Sequence, residues 1–115
     1  MGKIIDFPAN HNYNLIINDL CFEWNYTKNT INVRKHGISF ETAATAFFDE
    51  YGILINEILN SETEERFVLL GCDKNYELLV VCHCYRENES IRIISARKAT
   101  KKETEDYRRN YEKRI

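Results

Sequence analysis

The chain contains few of the residues that build nucleotide-binding loops, and it lacks long apolar runs. Four glycines and one proline occur among its 115 residues, and the sequence has no Gly-rich phosphate loop, nucleophile elbow or metalloprotease helix. These absences argue against a nucleotide-binding enzyme. No apolar run approaches the roughly 20 residues that a membrane-spanning helix needs. The first twenty residues interrupt short apolar pairs with Lys3, Asp6 and Pro8, unlike a signal peptide, so we expect a cytoplasmic protein.

Cysteine is sparse, and its four copies predict neither a disulfide framework nor a metal centre. They are Cys21, Cys72, Cys82 and Cys84, and in a cytoplasmic protein we expect them to be reduced. Two of them flank His83 in a run typical of a β-strand, where successive side chains point to opposite faces. We therefore expect His83 to face away from both neighbouring cysteines, and we expect no metal or other cofactor.

The chain is slightly acidic as a whole but basic at its C-terminal end. Apolar residues make up 43%, charged residues 30%, and the net charge is −2, which is ordinary for one soluble domain. Residues 91–115 carry nine Lys/Arg against four Asp/Glu, a net of +5, whereas residues 1–90 carry seven against fourteen, a net of −7. This asymmetry predicts an anion-binding surface or a basic end that meets an acidic partner. A solvated amphipathic helix is the alternative.

The order of the predicted elements indicates a small α+β domain. Asn25 can cap a helix that ends at Gly37, and Ser39 can cap a second helix with an apolar stripe at Phe40, Ala43, Ala44, Phe47 and Phe48. Strand-like runs follow at residues 53–58, 66–72, 78–85 and 91–98, and Thr100 with Glu103 forms a capping box for a last helix. We expect a small antiparallel sheet, a four-stranded meander plus an N-terminal strand, packed with two N-terminal helices and a C-terminal helix.

Cationic side chains on two of the predicted strands are candidates for binding phosphate. Arginine presents a fork of donors that matches phosphate oxygens at any working pH. In a regular strand Arg92 shares a face with Lys98, whereas Arg97 points to the opposite face unless the strand bulges. Arg66 opens another strand, and a carboxylate such as Glu64 or Glu65, or a phosphate, would offset the cost of burying it.

A second basic cluster, Arg34-Lys35-His36, ends the first helix. Cations are favoured there by the helix dipole alone, or they contact a phosphodiester, with His36 able to transfer a proton near neutral pH. Arg, Lys, His and Glu suffice for RNA cleavage without a metal, because one group takes the 2′-hydroxyl proton, another protonates the leaving 5′-oxygen, and cations stabilise the phosphorane.

Four ordered blocks resemble the BrnT toxin family. They begin at Phe22, Arg34, Ser61 and Arg92 and read FEWN, RKHGISFETA, SETEERF and RIISARKAT, within a match of about residues 21–111. The resemblance implies a compact fold similar to RelE-type toxins and a ribonuclease of a type II toxin–antitoxin pair that inhibits translation. It also implies a hetero-oligomer with a BrnA-type antitoxin, through which the complex binds operator DNA. On this basis residues 21–115 form the toxin domain and residues 1–20 an extension of unknown role.

The resemblance also assigns candidate site residues. Arg66, Arg92 and Arg97 are the leading catalytic or RNA-contacting candidates, followed by Lys35, His36 and either Glu64 or Glu65. The chain departs from many members at Asn60, where they have a histidine. Two alternatives stay open: a non-catalytic module that binds a partner protein or operator DNA, and a degenerate toxin that occupies an antitoxin.

Overall fold

The computed structural model describes residues 11–57 and 65–115. Within these ranges it contains six strands, three α-helices and one short 3₁₀-helix. In chain order these are β1 (Asn12–Ile17), β2 (Leu20–Asn25), α1 (Tyr26–His36), α2 (Phe40–Ala44), the 3₁₀-helix (Thr45–Phe48), β3 (Ile53–Glu57), β4 (Arg66–Cys72), β5 (Leu78–Tyr85), β6 (Ile91–Lys98) and α3 (Lys101–Arg114). Among the described residues, no helix has both the length and the apolarity to cross a membrane.

The strands form one mixed sheet in the order β1-β2-β6-β5-β4-β3. The predicted α+β class is confirmed, but the expected antiparallel sheet with a single N-terminal strand was wrong in detail. Strands β3 to β6 pair antiparallel as consecutive neighbours, and β2 adds to β6 in parallel at Phe22–Ile91 and Glu23–Arg92. Strand β1 forms a hairpin with β2, closed by Asn18 and Asp19 with positive φ. Part of the predicted extension at residues 1–20 is therefore an edge strand of the sheet.

Helix α1 begins and ends where its caps predict. The Asn25 side chain accepts a hydrogen bond from the Lys28 backbone N–H at 3.0 Å. Gly37 has a φ of 72° and donates its N–H to the Val33 carbonyl, which is the left-handed ending that glycine adopts most easily. Both signals are local, and both are confirmed.

Helix α2 is shorter than its apolar stripe predicts. It ends at Ala44, and the chain continues as a 3₁₀-helix that buries Ala46 and leaves Phe48 39% exposed. The tighter turn brings the backbone of this segment against β4. A Cβ on Gly71 would lie 2.9 Å from the Ala46 carbonyl oxygen, so glycine is required there for the close approach. The single regular helix expected through Phe48 was therefore wrong.

One face of the sheet, called the core face below, is buried against α1 and α2. Its members alternate along each strand, as a sheet covered on one side requires. The largest buried side chains on this face and on the covering helix are Phe22, Trp24, Leu69, Leu79, Val81, Ile91, Ile93 and Phe40. His83 also belongs to the core face, with its ring 4.7 Å from that of Phe47, so its predicted separation from Cys82 and Cys84 is confirmed.

The opposite face, called the outer face, is crossed at one end by α3. The capping box of Thr100 and Glu103 starts this helix as predicted. Glu103 contacts Arg97 of β6, and further along the helix the Tyr107 hydroxyl donates to Asp49 at 2.6 Å. Two apolar outer-face residues at this end are buried, Leu70 and Val80.

A bulge in β6 changes which side chains share a face. Cys82 pairs with Ser95 but the next residue, His83, pairs with Ile93, so Ile94 has no partner across the sheet. One extra residue reverses the alternation beyond it. Arg92 and Arg97 therefore share the outer face, and the regular-strand prediction that separated them was wrong.

Candidate functional site

Two candidate arginines lie in one row across the outer face. Arg92 on β6 is paired with Cys84 on β5. On the other side of β5, Phe67 of β4 is paired with His83, and continuing this register by one residue puts Arg66 opposite Cys84. Neighbouring strands are about 4.8 Å apart, so the two arginine backbones are separated by about 10 Å. Both side chains lie on the outer face, one on each side of Cys84.

Arg92 is held in place by two partners on the N-terminal strands. Its Nη1 donates to Glu23 Oε2 at 2.8 Å and its Nη2 donates to Asn12 Oδ1 at 3.2 Å. The side chains of Arg92 and Glu23 are 21% and 13% exposed, so the ion pair is mostly removed from water. A guanidinium fixed in this way presents its remaining N–H groups in a defined direction.

Arg66 is exposed at the start of β4. Among the described side chains it makes no ion pair or hydrogen bond, and its pairing partner on β3 is Glu57. Glu65 precedes it and is also exposed. Glu64 lies outside the described residues. Of the predicted catalytic set, the structure therefore brings Arg66 and Arg92 to one row and leaves Glu65 beside the first of them.

Arg97 shares the outer face but is engaged with α3. Its Nη1 and Nη2 each donate to one Glu103 oxygen at 2.9 Å, and the same carboxylate accepts from the Thr100 N–H at 2.8 Å. These hydrogen bonds, with Arg97 first, lower the pKa of Glu103 from 4.5 to about 2. Arg97 pairs with Val80, four residues along β5 from Cys84. Its backbone is therefore about 13 Å from the row formed by Arg66 and Arg92. The arginine predicted as catalytic thus anchors the C-terminal helix.

Lys98 does not join the row. It lies opposite Leu79, on the side of the sheet that carries the helices, and its Nζ is 3.9 Å from Glu77 Oε1. The bulge is again the reason, since it moves Lys98 to the face opposite Arg92. The predicted grouping of Arg92 with Lys98 was wrong.

Two of the three basic residues at the end of α1 line a crevice, and the third does not. Arg34 is exposed, whereas Lys35 and His36 line a crevice of about 180 Å³ between α1 and β6. The β6 residues in that crevice are Ile94, at the bulge, and Ser95. The structure therefore places two of the three residues beside the strand that carries Arg92, and it places Arg34 away from them.

Asn32 is an organising residue that the sequence did not reveal. Its buried side chain accepts from the Ala96 N–H at 3.1 Å and donates to the Ala96 and Ile38 carbonyls at 2.9 and 2.8 Å. The β2–β6 pairing lies at Ile91 and Arg92. At Ala96 the Asn32 amide therefore makes the two backbone hydrogen bonds that a neighbouring strand would otherwise make. The sequence signal for this role was that asparagine, a weak helix former, occupies position 32 inside α1. Asn29, one turn earlier, has a similar role, because its Oδ1 accepts a hydrogen bond from the Phe40 N–H.

A second cluster joins α3 to the turn before β3. Asp49 Oδ2 accepts from the Tyr107 hydroxyl at 2.6 Å and from the Cys72 N–H at 2.8 Å. Burial first, and then Asp49, raise the pKa of Tyr107, so the phenol stays protonated at any working pH. The cluster borders an aromatic groove of about 610 Å³ that includes Tyr51 and Tyr111. The contacts of Asp49 attach α3 to the turn before β3. The sequence patterns did not predict them.

The cysteines and histidines are dispersed. None of the four cysteines forms a disulfide. Within residues 11–57 and 65–115, no three His, Cys, Asp or Glu side chains converge in a way that could hold a metal ion. Burial lowers the pKa of His83, while its hydrogen bond with the Val81 carbonyl acts in the opposite direction.

Comparison with known families identifies one match. A family model described as the ribonuclease toxin BrnT of type II toxin–antitoxin systems matches residues 24–103. The matched range runs from the end of β2 to the first turn of α3, and it includes both arginines of the row. No curated protein matches the chain. Because the matched range is most of its length, the chain belongs to the BrnT family of ribonuclease toxins from type II toxin–antitoxin systems.

Proposed function

We propose that this protein is an endoribonuclease that cleaves RNA without a metal ion, inhibits translation in the cytoplasm and is neutralised by a BrnA-type antitoxin. The observation that carries the proposal is the row formed by Arg66 and Arg92, with Cys84 between them on the outer face. It offers two guanidinium groups to one phosphodiester. One is held by a carboxylate, and the other has no partner within the described residues.

The chemistry follows from the charge that develops during RNA cleavage. The 2′-oxygen attacks phosphorus while a base takes its proton, the bond to the 5′-oxygen breaks, and an acid protonates that leaving oxygen. The products are a 2′,3′-cyclic phosphate and a 5′-hydroxyl. Arg66 and Arg92 stabilise the added negative charge on the phosphorane. Glu65, Glu64 and His36 are the proposed proton-transfer groups.

Metal independence is proposed because the arginines of the row carry a positive charge that does not depend on a bound ion. Arg92 is oriented by Glu23 and Asn12, and a guanidinium keeps its charge at any working pH. The arginines therefore supply the charge stabilisation that a divalent ion would otherwise provide.

The proposed partner is an antitoxin with a DNA-binding domain. Membership of the family places this chain in a toxin–antitoxin pair, and the net charge of +5 over residues 91–115 favours an acidic segment of the antitoxin. Operator DNA would then be bound through the antitoxin in a hetero-oligomer. We further propose that residues 21–115 act as the toxin domain.

The test is cleavage of a single-stranded RNA by the purified chain in EDTA. We expect cleavage to persist in EDTA, Arg66→Ala to reduce it by about 100-fold, and Arg66→Lys to restore only part of it, since lysine cannot bind bidentately. Arg108→Ala, at an exposed position of α3, is the matched control and should cleave like the parent. Addition of the antitoxin should suppress cleavage at one equivalent.

Two results would reject parts of this proposal. Loss of cleavage in EDTA with recovery on adding Mg²⁺ would reject metal independence. A chain that binds the antitoxin tightly but cleaves no RNA at equimolar protein would instead favour a non-catalytic, partner-binding role.

A further inference from the structure

The crevice between α1 and β6 combines apolar and basic side chains. Its volume is about 180 Å³, which gives room for a single nucleobase. Two of its walls are apolar: Ile31 on the helix, 50% exposed, and Ile94 at the bulge of β6. Apolar side chains that line a crevice can contact the flat face of a base.

Two lysines of α1 contribute positive charge to the crevice. Lys28 and Lys35 both line it, and they are seven residues apart, or about 10.5 Å along the helix. Both are exposed and make no ion pair within the described part of the chain. A base between the isoleucines would therefore have lysine ammonium groups near the phosphates on either side of it.

The crevice and the arginine row share strand β6. Ser95 lines the crevice and is paired with Cys82 on the outer face, the face that carries Arg92. The bulge also turns Ile94 out of the regular alternation, toward α1. Asn32 holds this arrangement by bonding both backbone groups of Ala96, so the pocket is built into the fold and does not depend on a loop.

We propose that this crevice is an RNA subsite that receives one unstacked nucleobase next to the scissile phosphate, with Lys28 and Lys35 on the flanking phosphates. The inference rests on the proposed function, because it assigns the base next to the phosphate held by Arg66 and Arg92. It adds Lys28, Ile31 and Ser95 to the residues that contact RNA. It also names single-stranded RNA as the substrate, since a base in a duplex cannot enter the pocket.

The experiment uses a hexamer of RNA carrying 2′-O-methyl groups, which the protein can bind but cannot cleave. An abasic site is placed at each position in turn, and binding is measured by fluorescence anisotropy. One abasic position should weaken binding to the unmodified protein by about tenfold. The Ile31→Ala variant should bind the intact hexamer more weakly and lose sensitivity to that position. Val33→Ala, a comparable exposed position of α1, should retain it.

The lysines are tested through salt dependence. Lys28→Ala should reduce the slope of log binding constant against log salt by about 0.7, while Lys101→Ala at an exposed position of α3 should leave it unchanged. Equal sensitivity to all abasic positions, or no difference between the Ile31 and Val33 variants, would overturn the subsite. A loss of antitoxin binding but not of RNA binding in Ile31→Ala would overturn it as well.

The two proposals fail in different ways. If the chain cleaves RNA in an Arg66-dependent manner and the abasic coupling to Ile31 is absent, the subsite is wrong and the proposed function stands. If the coupling is present but no RNA is cleaved, the subsite is supported and the catalytic proposal is wrong.

Discussion

Arg66 and Arg92 face the same side of the sheet with Cys84 between them, yet they differ in their partners. Arg92 is held by the Glu23 carboxylate at 2.8 Å, whereas Arg66 has no side-chain partner within the described ranges. A paired guanidinium is positioned, and an unpaired one retains its full charge for a ligand. We infer that Arg92 is the positioned member of the row and that the exposed Arg66 is the more accessible one.

The Arg92–Glu23 pair is expected to stabilise the fold measurably. Both side chains are mostly buried, so solvent screens their attraction less than at the surface. A double-mutant cycle with Arg92→Ala and Glu23→Ala should give a coupling free energy of about 1 kcal/mol by urea unfolding. The exposed pair Lys102–Asp106 is the matched control and should give about 0.3 kcal/mol. Equal values for the two pairs would show that burial adds nothing.

The Glu103 carboxylate should make stability depend on pH in the acid range. Its pKa in the folded chain is about 2, below the ordinary 4.5, because it accepts from Arg97 and from the Thr100 N–H. The stabilisation is therefore complete above pH 4.5 and is lost as the pH falls toward 2. We expect about 1 kcal/mol, since the pair is partly exposed and solvent-screened. Glu103→Gln should flatten the curve between pH 5 and pH 2.5 (roughly the titration window), and Glu105→Gln should not.

The Tyr107 hydroxyl should stabilise α3 against the turn before β3. Its hydrogen bond to Asp49 is 2.6 Å long, and both residues line a groove with Tyr51 and Tyr111. Tyr107→Phe should lower the free energy of unfolding by about 1 to 2 kcal/mol, because the Asp49 carboxylate loses one of its hydrogen bonds. Hydrogen exchange of the α3 amides should become faster in parallel. Tyr76→Phe, at a residue that is 90% exposed, is the control, and an equal loss there would contradict this role of Tyr107.

His83 should make the fold less stable in mild acid. Burial lowers its pKa below the ordinary 6.5, so the folded chain holds it neutral while the unfolded chain takes up a proton. Stability from this residue is present above pH 6.5 and is lost as the pH falls. His83→Phe keeps an aromatic ring against Phe47 and removes the titration. Its unfolding free energy should change less than that of the parent between pH 7.5 and pH 5.5 (about the range over which histidine titrates), and identical curves would contradict the assignment.

Features that depend on residues a few positions apart could be predicted from the sequence. The Asn25 and Gly37 caps set the ends of α1, and Thr100 with Glu103 sets the start of α3. Each is a contact between residues a few positions apart, so composition and spacing are sufficient to specify it. The alternation of β5 likewise separated His83 from its neighbouring cysteines.

Signals that depend on a neighbouring strand could not be read in the same way. Regular alternation put Arg92 with Lys98, but the unpaired Ile94 reverses the faces beyond it. The bulge depends on how β5 and the Asn32 amide pair with β6, and these partners are 10 to 64 residues away in the sequence.

The sequence by itself determined the family, the α+β class, the helix caps and the candidate arginines, since these depend on residue type and short spacing. The tertiary structure decided which arginines share a face of the sheet and which partners they bind. It placed Arg66 beside Arg92 in one row and engaged Arg97 with α3. The physical reason is that side-chain direction in a sheet is set by hydrogen-bond register with other strands, and one extra residue reverses it.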